Sequence, residues 1–445
     1  MPVAKNASSI KSRVSHGKFV QSNLRGAWLP KRVAWNPAPA GLGGCRKAIF
    51  AHTGAQLDST QGLAMKLPPP PATTVFDRVS MLARETGAIN LGQGFPEIEH
   101  APELLAAAQR ALVEHSNQYP PMRGLEALRE AVADYYAREQ DLVLDPRQVV
   151  VMSGATEALA AAFLALLASG DEAILLQPFY DAYLPLVTRA GATARIVALD
   201  APGWTIPFDR LEAAIGPRTR AIVLNTPNNP TGTLVERDDL ERLGALCAQN
   251  DLVLICDEVW EAMIFGGDAH LSPLHIDSLR DRSVKIGSAG KIFSLTGWKV
   301  GWAVASPGLA ALIAGQHQFL TFTTAVPLQW AVAEGLALPH EWHEAHRARY
   351  AAARGRLIRG LIAAGYAVLP SAATWFVTID LAASGFEPDD EAVAMRMIRE
   401  AGVAAIPVSA FCGGEPERGY LRFCFAKEDA TLDAAIERLA RFRPG

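Results

Sequence analysis

The chain has 445 residues, 50% of them hydrophobic and 20% charged, with a net charge of −4. That balance suits a soluble globular protein with large cores, and it gives no argument for a nucleic-acid partner or a membrane surface. No apolar run reaches the roughly 18 residues that a membrane span needs, and the length implies two lobes plus extensions.

Residues 1–64 stand apart from the rest. They carry Lys5, Lys11, Arg13, Lys18, Arg25, Lys31, Arg32, Arg46 and Lys47 against one acid, Asp58. Serine, glycine and proline are frequent and no apolar period persists, so a disordered basic extension is expected. Three readings of it are open. It is an organellar transit peptide, a basic arm that binds something, or the product of a start placed upstream of the real first residue, Met65. The Ala- and Arg-rich body, typical of high-GC bacterial genes, favours the last. The cysteines, Cys45, Cys247, Cys256, Cys412 and Cys424, are odd in number and form no CxxC pair. Free thiols in a reducing compartment are the plain reading.

From about residue 73 the pattern becomes regular. VVVMSG (149–154), EAILLQP (172–178), RAIVLNTP (220–227), LVLICDE (252–258), SVKIGS (283–288) and VGWAVA (300–305) are short β-rich apolar runs. ALAAAFLALLASG (158–170) fits a buried helix, and helical stretches separate the earlier runs. Continuous apolar strands alternating with helices predict an α/β fold with a mostly parallel sheet covered on both faces. Beyond about 340, an Ala/Arg-rich helix and strand-like segments around WFVTID and YLRFCFA predict a smaller α+β domain.

Polar residues at strand C-terminal ends line the ligand crevice of such a sheet. SGATEAL (153–159) closes one strand and opens a helix, offering N–H groups and a hydroxyl suited to phosphate; an ordinary helix cap explains it equally. NTPNNPTG (225–232) presents Asn229, a turn former or a donor to a ligand oxygen. ICDEVW (255–260) places Asp257 straight after an apolar run, as a cap or as the partner of a buried cation. SAGKIFSLTGWKVGW (288–302) holds Ser288, Lys291 and Lys299 in apolar, flexible company. A lysine so placed loses solvation and becomes an amine nucleophile, or waits as a fixed cation for an anion. Together these supply what pyridoxal phosphate needs: a Schiff-base lysine, a carboxylate for the pyridinium nitrogen, a phosphate cup and a donor to the ring oxygen.

The chain resembles the class I aminotransferases of PLP fold type I, most closely their kynurenine/glutamine/methionine transaminase branch. INLGQGFP (89–96), NQYPPMRGLEALREAVADYY (117–136), QPFYDAY (177–183), NTPNNPTG, DEVW, SAGKIFSLTGWKVGW and YLRFCFAKED (420–429) carry the resemblance over about 73–443. It implies a seven-stranded, mostly parallel sheet in a large domain (111–335), a small C-terminal domain (336–445), and a segment 73–110 packing with the latter. It implies that Lys291 forms the Schiff base and shuttles the proton. Asp257 pairs with the ring nitrogen, Asn229 bonds the ring oxygen and Tyr180 stacks on the ring. Ala155, Thr156, Ser288 and Lys299 hold the phosphate, and Tyr119 reaches it across a homodimer interface. Arg422 grips the substrate α-carboxylate as a bidentate fork, Gly94 lets backbone approach the same group, and Phe76 and Phe322 surround the substrate side chain.

The branch usually reads DEVY, whereas position 260 here is tryptophan. Its N–H donates but cannot accept, so Trp260 should alter the cofactor's titration or slow the chemistry. The segment after Tyr119 also looks short for the branch. The resemblance implies ping-pong transamination, through pyridoxamine phosphate, of an aromatic, sulfur-containing or glutamine-type amino acid with a 2-oxo acid. The alternative on the same residues is a cysteine-S-conjugate β-lyase. A cofactor-binding regulator would need an N-terminal helix-turn-helix, and residues 1–64 show no such periodicity. A cytoplasmic protein is expected, or an organellar one if residues 1–64 are a transit peptide.

Overall fold

In a computed structural model, which describes residues 74–97, 101–267 and 270–444, the strands follow the β-rich runs closely. The extension expected at residues 1–64 lies outside the described residues. In chain order the strands are β1 (Ile89–Asn90), β2 (Val149–Met152), β3 (Glu172–Gln177), β4 (Thr193–Ala198), β5 (Thr219–Asn225), β6 (Val253–Asp257) and β7 (Ser283–Ser288). They continue with β8 (Gly301–Ala305), β9 (Ala367–Val368), β10 (Phe376–Asp380), β11 (Val403–Ala404), β12 (Ile406–Pro407) and β13 (Tyr420–Cys424).

A seven-stranded sheet runs in the order β2-β8-β7-β6-β5-β3-β4. Its pairs are parallel except those of β8, which is antiparallel to both β2 and β7. Strands β2, β3, β7 and β8 are buried at every position, as expected of a sheet with both faces covered. Side chains alternate between two cores. Val150 and Met152 join the core beneath the helices Ala155–Leu166 and Pro307–Leu320, while Val149 and Val151 join Tyr136 and Trp302 on the opposite face. The runs quoted from sequence did not include β4. It is an edge strand, with two of its six residues exposed and one buried, and TARIVA breaks the continuous apolar signal that its neighbours give.

The C-terminal part combines the long helix His340–Ala363 with an antiparallel sheet in the order β12-β13-β10-β9. Helix Val75–Thr86 starts on a Thr74–Asp77 capping box and stops at Gly87 in the left-handed region (φ 67°), where glycine carries no Cβ penalty. Its Val79 and Ala83 pack on Ile398, Ala404 and Ile406, and β1 pairs parallel with β11. Helix Pro102–Glu114 instead packs against Val326–Leu336 beside the large sheet.

Gly287 in β7 leaves no room for a side chain. A Cβ there would lie 2.2 Å from Trp302 Nε1 and 2.6 Å from the Tyr136 hydroxyl, which themselves hydrogen-bond at 2.8 Å. Gly287→Ala should therefore destabilise the fold by about 1–3 kcal/mol. Urea unfolding checks this: the midpoint should fall with an unchanged slope.

Candidate active site

The parallel strands β3, β5, β6 and β7 all end at one edge of the large sheet, and antiparallel β8 begins there. A chain leaving β7 at Ser288 must return to that same edge to enter β8 at Gly301. Both lysines of the intervening segment therefore stay at the edge. They line a cavity of about 230 Å³ with Gly154, Ala155, Thr156, Tyr180, Asn225, Asn229, Asp257, Trp260 and Ser288.

Asp257 is buried at the cavity floor. It accepts from the Tyr183 hydroxyl at 2.6 Å and from the Val259 N–H at 3.3 Å. Burial pushes its carboxyl up to about 6, against the pull of those bonds and of the Lys291 charge. Burial also drives the Lys291 amine down to about 8, with Asp257 drawing it back up. The Lys291 Nζ lies 4.5 Å from the centre of the Trp260 ring and 5.0 Å from that of Trp375. At the other flank, a Cβ on Gly154 would lie 3.4 Å from Lys299 Nζ, and one on Gly301 would lie 2.8 Å from the Ala155 nitrogen. The two glycines thus let backbone and ammonium close around the start of helix Ala155–Leu166, a natural anion seat.

A polar chain crosses the floor from Asp257 to Arg422. The Asn225 side chain donates to the Asp257 carbonyl at 2.8 Å, and its own oxygen accepts the Asn229 N–H at 2.7 Å. Arg422 donates to Asn229 Oδ1 at 2.8 Å and to the Gly92 carbonyl at 2.6 Å. Because Asn229 Oδ1 faces the guanidinium, its amide N–H₂ is left for the cavity. Arg422 is clasped by Phe376 and Phe411, whose ring centres lie 3.9 and 4.7 Å from it. Its Nε is buried without a partner, and burial lowers the guanidinium to about 9.

Arg422 and the other residues expected from sequence lie outside the cavity lining. Gly94 runs so close to Phe376 that a Cβ would lie 2.6 Å from the ring. Phe76 packs edge-on against Phe411 at 5.1 Å. Tyr119 and Phe322 contact each other at 5.6 Å on the surface, 81% and 38% exposed. Sequence reasoning missed Asn225, Tyr183, Trp375, Phe376 and Phe411. Asn225 and Tyr183 lie within the quoted motifs NTPNNPTG and QPFYDAY, but the two phenylalanines and Trp375 reach Arg422 and Lys291 only through tertiary packing.

Pyridoxal phosphate suits this donor set: a buried carboxylate for a ring nitrogen, a depressed lysine for an aldehyde, and a glycine-lined helix start crossed by an ammonium for a phosphate.

The family model for aminotransferase class I and II matches residues 86–439. The chain is 41% identical over 385 residues to a probable N-succinyldiaminopimelate aminotransferase of Mycobacterium tuberculosis, covering 83% of this chain and 96% of the relative. It is 38% identical over 371 residues to the methionine aminotransferase of Escherichia coli, covering 82% and 95%. With human kynurenine–oxoglutarate transaminase 1 it shares 34% identity over 397 residues, covering 81% and 94%. The solved structure of the Mycobacterium tuberculosis enzyme superposes with a TM-score of 0.79 over 83% of this chain and 97% of that one, at 41% identity. That of Escherichia coli YbdL superposes with 0.81 over 84% and 100%, at 37% identity.

The lowered Lys291 amine gives a pH prediction. Only the neutral amine attacks an aldehyde, so Lys291 should gain reactivity as the pH rises through about 8, whereas an ordinary lysine waits for 10.5. Borohydride trapping of pyridoxal phosphate, read by peptide mass spectrometry across that range, should label Lys291 first. Equal labelling of surface lysines at the same pH would contradict this.

Proposed function

The chain belongs to the class I and II aminotransferases and uses pyridoxal phosphate, and on that premise we propose that it transaminates a large apolar amino acid with a 2-oxo acid. The donor class is aromatic, sulfur-containing or glutamine-type. The observation that carries this reading is the setting of Arg422. One guanidinium, clasped between Phe376 and Phe411 and bonded to Asn229, stands ready for an α-carboxylate. The nearby walls are Trp260, Trp375 and Phe376, joined edge-to-face at 4.9 and 5.4 Å. Among the described residues that line the cavity itself, the cations are Lys291 and Lys299, and Arg422 stands just beyond the lining, bonded to Asn229.

When bound, the cofactor ring withdraws electrons from the substrate Cα. The protein does the rest. Asp257 holds the proton on the ring nitrogen, with Tyr183 fixing its orientation. The Asn229 amide N–H₂ donates to the ring oxygen. Ala155, Thr156, Ser288 and Lys299 hold the phosphate. Lys291 would hold the cofactor's aldehyde carbon, and its freed amine would take the Cα proton as a general base. Trp260 and Trp375 keep water from the amine while it does so.

The active unit in this reading is a homodimer. Tyr119 and Phe322, out of reach of their own cavity and exposed together with Phe319, extend into the partner's site. No helix of the described residues is long and apolar enough to cross a membrane, and the described cysteines are free. A cytoplasmic location agrees with both.

The test is the absorbance of the cofactor-loaded protein mixed with single amino acids and no oxo acid. Methionine, glutamine, phenylalanine or kynurenine should convert the cofactor to its amine form at least about tenfold faster than aspartate or glutamate. A faster N-succinyl-diaminopimelate would overturn the donor class. Pyruvate released from a cysteine conjugate, with the cofactor band unchanged, would favour the β-lyase alternative. Arg422→Lys should raise the KM for every donor by about tenfold or more, since an ammonium cannot form the fork. Trp260→Tyr should move the pH at which the cofactor spectrum titrates, and identical titration and turnover would show that the indole is neutral.

A further inference from the structure

Glu157 lies in the first turn of helix Ala155–Leu166, the turn that offers its N–H groups to the cofactor phosphate in the reading above. A carboxylate in that place repels a phosphate dianion unless something offsets it. His317 is in contact with it. Its Nδ1 lies 2.7 Å from Glu157 Oε1, and its Nε2 lies 3.0 Å from the Met122 carbonyl oxygen. A carboxylate and a carbonyl only accept. Both contacts are hydrogen bonds only when both ring nitrogens of this fully buried side chain donate, as they do in an imidazolium. Glu157 also takes the Ser153 N–H and, at 2.8 Å, the Thr321 hydroxyl.

His317 joins three parts of the site, the phosphate helix and the Met122 segment through its ring and the third through its backbone carbonyl. The Ser153–Gly154 turn leads into the phosphate helix. Met122 belongs to the segment that carries Tyr119. The His317 carbonyl accepts the N–H groups of Thr321 and Phe322 at 3.3 and 3.0 Å. We propose that His317 is a positioning residue whose proton sets cofactor affinity: it neutralises Glu157 beneath the phosphate seat and pins the segments of Tyr119 and Phe322 to that seat. The inference rests on the phosphate lying at Ala155 and Thr156.

The groups facing His317 are few. The phosphate helix contributes the Glu157 carboxylate, the Tyr119 segment the Met122 carbonyl, and the segment after helix Pro307–Leu320 the Thr321 hydroxyl, which reaches it through Glu157. Lys299 lies across the turn at Gly154. Among the described residues no other titratable side chain is bonded to the ring. Burial would raise the Glu157 carboxyl, but hydrogen bonds from His317, Ser153 and Thr321 hold it below its ordinary value, and when the imidazolium proton leaves, the Ser153 and Thr321 bonds to the carboxylate remain. One ring nitrogen then points a lone pair at an acceptor, and an uncompensated charge faces the phosphate.

The dissociation constant of pyridoxal phosphate, measured for the full chain between about pH 6 and about pH 9, tests this. Glu157→Gln is the diagnostic variant. Its amide oxygen can accept from Ser153, its N–H₂ can donate to a neutral His317 and to Thr321, and His317 still donates to Met122. Wild-type affinity should fall by about tenfold relative to Glu157→Gln as the pH rises. His317→Gln should bind weakly already at the low end. Titration of the phosphate and of Lys291 is common to all three proteins and cancels in the ratios. Parallel wild-type and Glu157→Gln profiles would overturn the proposal, and that comparison decides even if His317→Gln fails to fold. Profiles that diverge as expected, but identically in a Thr156→Ala background with unchanged affinity, would show that the phosphate sits elsewhere, which overturns the reading beneath the proposal and the proposal with it.

Discussion

Two opposite charges share one cavity, and the arrangement of the site follows from that constraint. Burial alone would neutralise both Asp257 and Lys291. Each keeps part of its charge because the other is near and because hydrogen bonds to the charged form add to the attraction. Tyr183 supplies such a bond to Asp257, while the Trp260 and Trp375 faces supply a weaker attraction to the ammonium. The balance leaves both groups close to the neutral range, where a proton can be exchanged at little cost.

The sheet alternation divides the labour between neighbours in the run DE. Asp257 points into the cavity. Glu258, the next residue, is fully buried with Lys285 Nζ 2.6 Å away. The same ammonium is 2.6 Å from Glu261, which also accepts from Tyr136 and Gln140, and His270 completes the group at 2.6 Å from Glu258. Burial would depress Lys285, but the two carboxylates hold it above its ordinary value. It therefore remains an ammonium between them. Breaking such a buried network by removing one partner is costly, because the remaining charge stays in place uncompensated.

Much of this was legible in the sequence, and the limits have physical causes. Strand ends carry polar residues straight after apolar runs, so Asn229, Asp257 and Ser288 stood out. Lys291 stood out because no acid lies near it in sequence. Trp375 and Phe411 are core residues, and their second role as aromatic faces for Lys291 and Arg422 depends on which strand lies across from them. The same holds for Glu157 and His317, which are 160 positions apart. A first-turn glutamate reads as a favourable helix start, and nothing local reveals the ring that bonds it. Edge strand β4 escaped notice because one side of it is wet.

The reversed strand β8 makes the excursion between Ser288 and Gly301 into a calliper. Its two jaws are Lys291, between the indoles, and Lys299, over Gly154. Both jaws are anchored in adjacent strands that pair Ser288 directly with Gly301, so the span between them cannot be adjusted by sliding the sheet. Backbone in the left-handed region at Ser294 and Lys299 (φ 60° and 54°) sets the bends. The gauge is thus cut into a stretch of main chain rather than into side chains. Substitutions along it are free to vary the chemistry of the rim, whereas adding or removing a single residue would change the size of molecule that fits.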